Sequence, residues 1–212
     1  MRNKLKRVKV RQRSRIKKQA GRANHMDPIR SIMKKCMRKY FSLRRIGYGS
    51  EDYRRPVIFL NSPEKFKRYD NFFETYFVGK NVVDIGCANG FFSIWISMYA
   101  NSVIGVDINK NNIKWNMVMK EASGRENVNF LTFDIKNISK KFLSKYQIDS
   151  VFWHNTSFDG MKELWDFILT RGEIKTVITN FPSHFDDQYL REELKYEHIK
   201  SSIGKIHVIN KS

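Results

Sequence analysis

Between residues 81 and 179, short runs rich in Val, Ile and Phe alternate with helix-forming stretches, and this alternation restricts the fold more than any other feature of the chain. The predicted strands cover 82–85, 103–106, 128–133, 148–153 and 174–179, with predicted helices near 90–99, 109–122, 137–145 and 158–170. Strands separated by one helix each cannot pair as hairpins, so they form βαβ units. The fold class is therefore α/β, a mainly parallel sheet with helices on both faces. After a short predicted helix near 185–194, the segments 196–202 and 205–210, joined by Ile203-Gly204, read as a C-terminal antiparallel hairpin. Upstream, Ser62-Pro63-Glu64 combines a cap with Pro at the first helical position. It opens a helix bearing Phe66, Tyr69, Phe73, Tyr76 and Phe77 on one side, which Gly79 ends. A short strand is expected at 57–60.

The 212 residues suffice for one domain and an appendage, and 41% hydrophobic with 14% aromatic residues exclude wholesale disorder. Charge separates the two parts. Residues 1–55 hold 20 Lys and Arg against 3 Asp and Glu, whereas residues 56–212 hold 20 against 18, so +17 of the formal +19 belongs to one end. Residues 1–25 are so poor in apolar side chains that a disordered basic arm is expected, and 26–61 reads as a basic helical extension. In the extension, Asp27-Pro28 marks a helix start. Ile29, Ile32, Met33, Cys36 and Tyr40 form an apolar stripe, with Arg30, Lys34, Lys35, Arg38 and Lys39 expected on the opposite face. Such a cationic block suits a phosphate backbone; an import signal, a solvated tail or a membrane-surface helix are the competing readings.

The segment 81–92 reads Asn-Val-Val-Asp-Ile-Gly-Cys-Ala-Asn-Gly-Phe-Phe. An apolar strand runs through Asp84 into Gly86, Ala88 and Gly90 as the next helix begins. Small residues at such a turn let the backbone approach a nucleotide-like ligand at the carboxyl end of a strand. The glycines do not follow the G-x-G-x-x-G spacing that seats a pyrophosphate, and a carboxylate at Asp84 would repel one while suiting an amino group. The second strand ends in Asp107, 23 residues after Asp84, and Asp134 follows the third.

With these residues, 62–212 resembles the class I S-adenosylmethionine-dependent methyltransferases, whose first motif has the form hhDhGxGxG. Here Ala88 stands at the middle glycine. The resemblance implies a Rossmann-like catalytic domain over 62–212 and S-adenosyl-L-methionine as cofactor. Asp84 would face its amino group and Asp107 its ribose hydroxyls, with Ile108 on the adenine face, Asp134 on the exocyclic amine, and the backbone at Ile135 on the ring. Acceptor-specific residues in this family follow the fourth strand, which makes His154 a candidate base and Asn155 a candidate orienting group; both can equally be ordinary loop residues. Phe152 and Trp153 are expected to fill the core.

No Asp/Asn-Pro-Pro-Tyr signature or nucleophilic Cys follows the fourth strand, and a Lys-Asp-Lys-Glu set cannot be placed by strand position. Asn180-Phe-Pro-Ser183 is similar to the Asn-x-Pro-aromatic motif of rRNA adenine dimethylases, but it follows the fifth strand and has Ser at the stacking position. The expected activity is methyl transfer to RNA, ribosomal or transfer RNA ahead of DNA, with the basic region binding phosphates. The alternatives are a small-molecule, glycan or protein acceptor, or a non-catalytic nucleic-acid-binding protein of the same fold. The longest apolar stretch, 91–100, is about half a membrane span. With no secretory pattern, and with Cys36 and Cys87 forming neither a disulfide framework nor a metal-ligand pair, the chain is expected to be cytoplasmic and metal-free.

Overall fold

In the computed structural model, residues 28–44, 61–154, 161–180, 196–200 and 206–211 are described. The basic arm, the Asp27 cap, the predicted strand at 57–60, the predicted helix near 185–194, Asn155 and residues 181–183 lie outside them.

The elements run α1 (Pro28–Arg44), α2 (Pro63–Phe77), β1 (Asn81–Ile85), α3 (Phe91–Ile96), β2 (Ser102–Asp107), α4 (Lys110–Ser123), β3 (Val128–Thr132), α5 (Lys140–Lys145), β4 (Ser150–Trp153), α6 (Met161–Leu169), β5 (Thr176–Thr179), β6 (Tyr196–Lys200) and β7 (His207–Lys211). A single helical turn, Ile135–Asn137, follows β3. The sheet order is β3-β2-β1-β4-β5-β7-β6. The first five strands are parallel, and β7 inserts antiparallel between β5 and β6. The expected mainly parallel sheet and terminal hairpin are both present.

Because side chains alternate across a strand, each strand supplies both faces. On one face Val82, Val103, Val128, Phe152 and Val208 meet Phe66, Phe73 and Phe77 of α2, Ile94 and Trp95 of α3, and Trp115 and Met119 of α4. On the other, Val83, Ile85, Ile104, Val106, Val151, Trp153 and Val177 meet Phe142 and Leu143 of α5 and Leu164, Trp165 and Ile168 of α6. Phe152 and Trp153 are core residues, as expected, and Trp153 stacks on Trp165 with ring centroids 4.4 Å apart. Helix α2 begins as its sequence dictates, with the Ser62 hydroxyl accepting from the Lys65 amide and Pro63 in the first turn.

Helix α1 docks on α4 and α3. Its Met33, Cys36 and Met37 enter the first core, and the Cys36 thiol donates to the Met119 carbonyl at 3.6 Å. Burial pushes that thiol up to about 11. One expectation is overturned here. Arg30, assigned above to the outward cationic face, is only 6% exposed. Residues 30, 33 and 37 fall on one helical face, so the geometry that buries Met33 and Met37 carries Arg30 with them. Lys35, Arg38 and Lys39 do point outward.

Candidate active site

The turn between β1 and α3 departs from ordinary backbone at three alternate positions: Gly86, Ala88 and Gly90 have φ of 66°, 45° and 68°. The left-handed region is open to glycine but costs an L-residue such as Ala88 about 1–2 kcal/mol. The turn is pinned over the end of β2 by backbone hydrogen bonds. The Cys87 amide donates to the Val106 carbonyl at 3.0 Å, and the Gly90 amide to the Cys87 carbonyl at 2.8 Å.

Asp107, at the end of β2, holds the same turn through its side chain. One carboxylate oxygen accepts from the Ala88 amide at 2.9 Å and the other from the Asn109 amide at 2.8 Å. Each oxygen keeps a second lone pair, and the carboxylate stays partly exposed. Ile108, the next residue, is 69% exposed.

Asp84 lies deeper. The register of β1 and β2 sets it opposite Gly105, and its carboxylate accepts from the Ser93 hydroxyl on α3. Burial raises its pKa from 3.8 to about 7, with Ser93 acting to lower it and the nearby Asp107 charge to raise it further. The glycine at 105 is required by the packing. A Cβ there would stand 2.6 Å from the Phe130 ring and 2.9 Å from the Ser93 hydroxyl. Burial, with Asp84 and Asp107 close by, also pushes the Cys87 thiol well above its ordinary range, which leaves it a poor nucleophile.

Asp134 is half-buried and caps the helical turn after β3, accepting from the Lys136 amide at 3.0 Å. The Ile135 side chain is buried in the second core. His154 follows Trp153, which pairs with Ile85, so it stands at the same sheet edge as the turn. Its half-buried ring lies 5.3 Å from Phe92 and nearly parallel to Phe152 at 5.8 Å. The carboxyl ends of β3, β2, β1 and β4 thus bring Asp134, Asp107, Asp84 and His154 to one edge.

Three side chains that hold this site were not singled out from the sequence: Ser93, Asn116 and Phe130. Asn116 of α4 is fully buried and donates to the Ala88 carbonyl at 2.9 Å and to the Cys87 sulfur at 3.3 Å. The signals available were a glycine inside an apolar strand and a lone amide between Trp115 and Met119.

A model of the methyltransferase domain matches residues 77–199, more than half of the chain. The chain belongs to the methyltransferase domain family. Its motif turn and strand order are those of the class I S-adenosylmethionine-dependent methyltransferase fold. No curated protein sequence matches it. Among solved structures, the enzyme is similar to a protein of the NADB-Rossmann superfamily from Streptococcus agalactiae (11% identity, TM-score 0.51, covering 68% of this chain and 67% of that one). It is also similar to a dimethyladenosine transferase from Plasmodium falciparum (16% identity, TM-score 0.50, covering 70% and 60%). A third is the YcgJ protein from Bacillus subtilis (18% identity, TM-score 0.44, covering 54% and 50%). The enzyme spans half to two thirds of the length of these three chains. At these identities the likeness to the first two is one of fold. No described helix is long and apolar enough to cross a membrane.

Proposed function

We propose that this methyltransferase acts on RNA, ribosomal or transfer RNA, gripping the phosphate backbone with its N-terminal region. The observation that carries the reading is the charge division: residues 1–55 hold +17 of the net +19. Helix α1, with Lys35, Arg38 and Lys39 facing outward, joins that block to the folded body beside α4. Cations in this number give sequence-independent affinity that falls steeply with salt.

The residues of the site fit S-adenosylmethionine. Asp107 has lone pairs for ribose hydroxyls beside the backbone contacts that orient it, and the exposed Ile108 offers an apolar surface for adenine. Asp134 has acceptor capacity left after capping for the exocyclic amine, next to the Ile135 backbone. Asp84, poised near neutrality, gains a cationic partner in the ammonium group. When bound, the cofactor supplies an already activated methyl carbon, so the chain's task is to align the acceptor and exclude water. In this reading His154, whose ring packs against Phe92 and Phe152, takes the proton from the acceptor, and Asn155 is the candidate orienting group.

The test is incubation of labelled cofactor with RNA, DNA, protein and metabolite fractions, together with RNA binding across salt by the full chain and by one lacking residues 1–25. Label in RNA and a flatter salt dependence after truncation are expected. Equal RNA binding by both at every salt concentration, or label in another fraction alone, refutes the assignment.

A further inference from the structure

We infer that Asn116 is a positioning residue for the cofactor, acting through the strained alanine at 88. The inference rests on the reading of Asp107 as the ribose-binding carboxylate. Ala88 occupies left-handed backbone, φ 45°, where glycine would sit without strain. Its peptide groups are clamped from both sides. The Asn116 side-chain amide donates to the Ala88 carbonyl at 2.9 Å, and the Ala88 amide donates to an Asp107 carboxylate oxygen at 2.9 Å. Turning residue 88 out of this conformation would break both bonds and release the carboxylate oxygen that faces the turn. Asn116 therefore fixes the orientation of Asp107 without touching the cofactor's ribose itself.

The amide is a costly residue for packing alone. Asn116 is fully buried, and its side-chain oxygen is buried with no hydrogen-bond partner. A position that leaves an acceptor unpaired in the interior is better filled by an apolar side chain of the same size, unless the donor half is needed. Here the donor half reaches the Ala88 carbonyl and the Cys87 sulfur, both in the turn. Asn116 also closes on Gly90, where a Cβ would stand 2.8 Å from its side-chain carbon. Clamp and strained residue form one device: with alanine at the middle position, the conformation that glycine adopts unaided is imposed from helix α4.

The test is a cycle of four proteins, native, Asn116→Ala, Ala88→Gly and the double variant, titrated with S-adenosylmethionine alongside Asp107→Ala. Asn116→Ala is expected to weaken cofactor binding about tenfold, the equivalent of one lost hydrogen bond. On the Ala88→Gly background, loss of the Asn116 amide is expected to weaken binding far less than tenfold, because glycine takes up the left-handed turn without the clamp. A double variant as weak as Asn116→Ala, or full-strength binding by Asn116→Ala, overturns the inference. Should Asn116→Ala fail to fold, the double variant is still expected to fold and bind; its failure to do so makes Asn116 a core residue only and also overturns it. Asp107→Ala separates the two layers. Undiminished binding by that variant refutes the ribose assignment, whereas lost binding there with additive effects at 88 and 116 refutes the clamp alone.

Discussion

Replacing Asp84 with asparagine should remove a pH dependence that the fold builds into this enzyme. In the folded chain Asp84 titrates near pH 7, against an ordinary 3.8. Because the folded value is the higher, the folded state keeps a proton between about pH 4 and pH 7 that the unfolded state has released. The group's contribution to stability therefore falls as pH rises through that window and levels off above 7, the reverse of a salt-bridged aspartate. A shift of about three units at 1.36 kcal/mol each gives a loss of roughly 4 kcal/mol over the whole window, of which about 3 kcal/mol falls between pH 5 and pH 8. For a domain of this size that amounts to about ten degrees in Tm. Asparagine cannot ionise and still offers a partner to the Ser93 hydroxyl. Thermal unfolding of native and Asp84→Asn chains at pH 5 and pH 8 isolates this group, since every other titration is common to both. The native chain should lose stability relative to the variant at the higher pH. In calorimetry, native affinity for S-adenosylmethionine should rise with pH up to about 7 and then level off, while the variant binds weakly without that rise. Parallel unfolding curves at the two pH values would refute the reasoning, because Asp84 would then ionise as it does in water.

Other substitutions probe the same turn and strand. Ala88→Gly should stabilise the enzyme by up to about 1 kcal/mol, read as a higher Tm, since relief of the left-handed strain exceeds the added freedom of the unfolded chain. Gly105→Ala should cost about 1–3 kcal/mol in urea unfolding, because the new methyl overlaps the Phe130 ring and displaces the Ser93 hydroxyl. Ser93→Ala should move the Asp84 titration further upward, measured by carboxyl NMR, because the hydroxyl is the group that lowers it. Phe73→Ala, in a fully buried position between Trp95 and Phe152, should cost about 3–5 kcal/mol.

The parallel strands were legible because a strand buried on both faces is written as an unbroken apolar run, and 82–85 and 103–106 differ from β1 and β2 only at their ends. Ile148 and Ile174 lengthened the predicted fourth and fifth strands. Both are buried, but they precede β4 and β5, with their amides bonded to the Leu143 and Arg171 carbonyls at 2.9 and 3.3 Å. The positions of Asp84, Asp107 and Asp134 at or just beyond strand ends were legible. What holds them was not. Ser93 meets Asp84 because the turn folds α3 back against β1, and Asn116 reaches Ala88 across 28 residues because α4 packs against the turn. The burial of Arg30 follows from its place on the helix rather than from its charge, since it lies three and seven residues before the buried Met33 and Met37.

The central claim, a cofactor site built where β1, β2 and β3 end, meets its most direct test in isothermal titration of S-adenosylmethionine into the native chain and into Asp107→Ala. Heat of saturable binding from the native chain, and its loss or severe weakening in the variant with the fold intact by circular dichroism, is the predicted result. Native protein that gives no heat, or a variant that binds as tightly as the native chain, would contradict it.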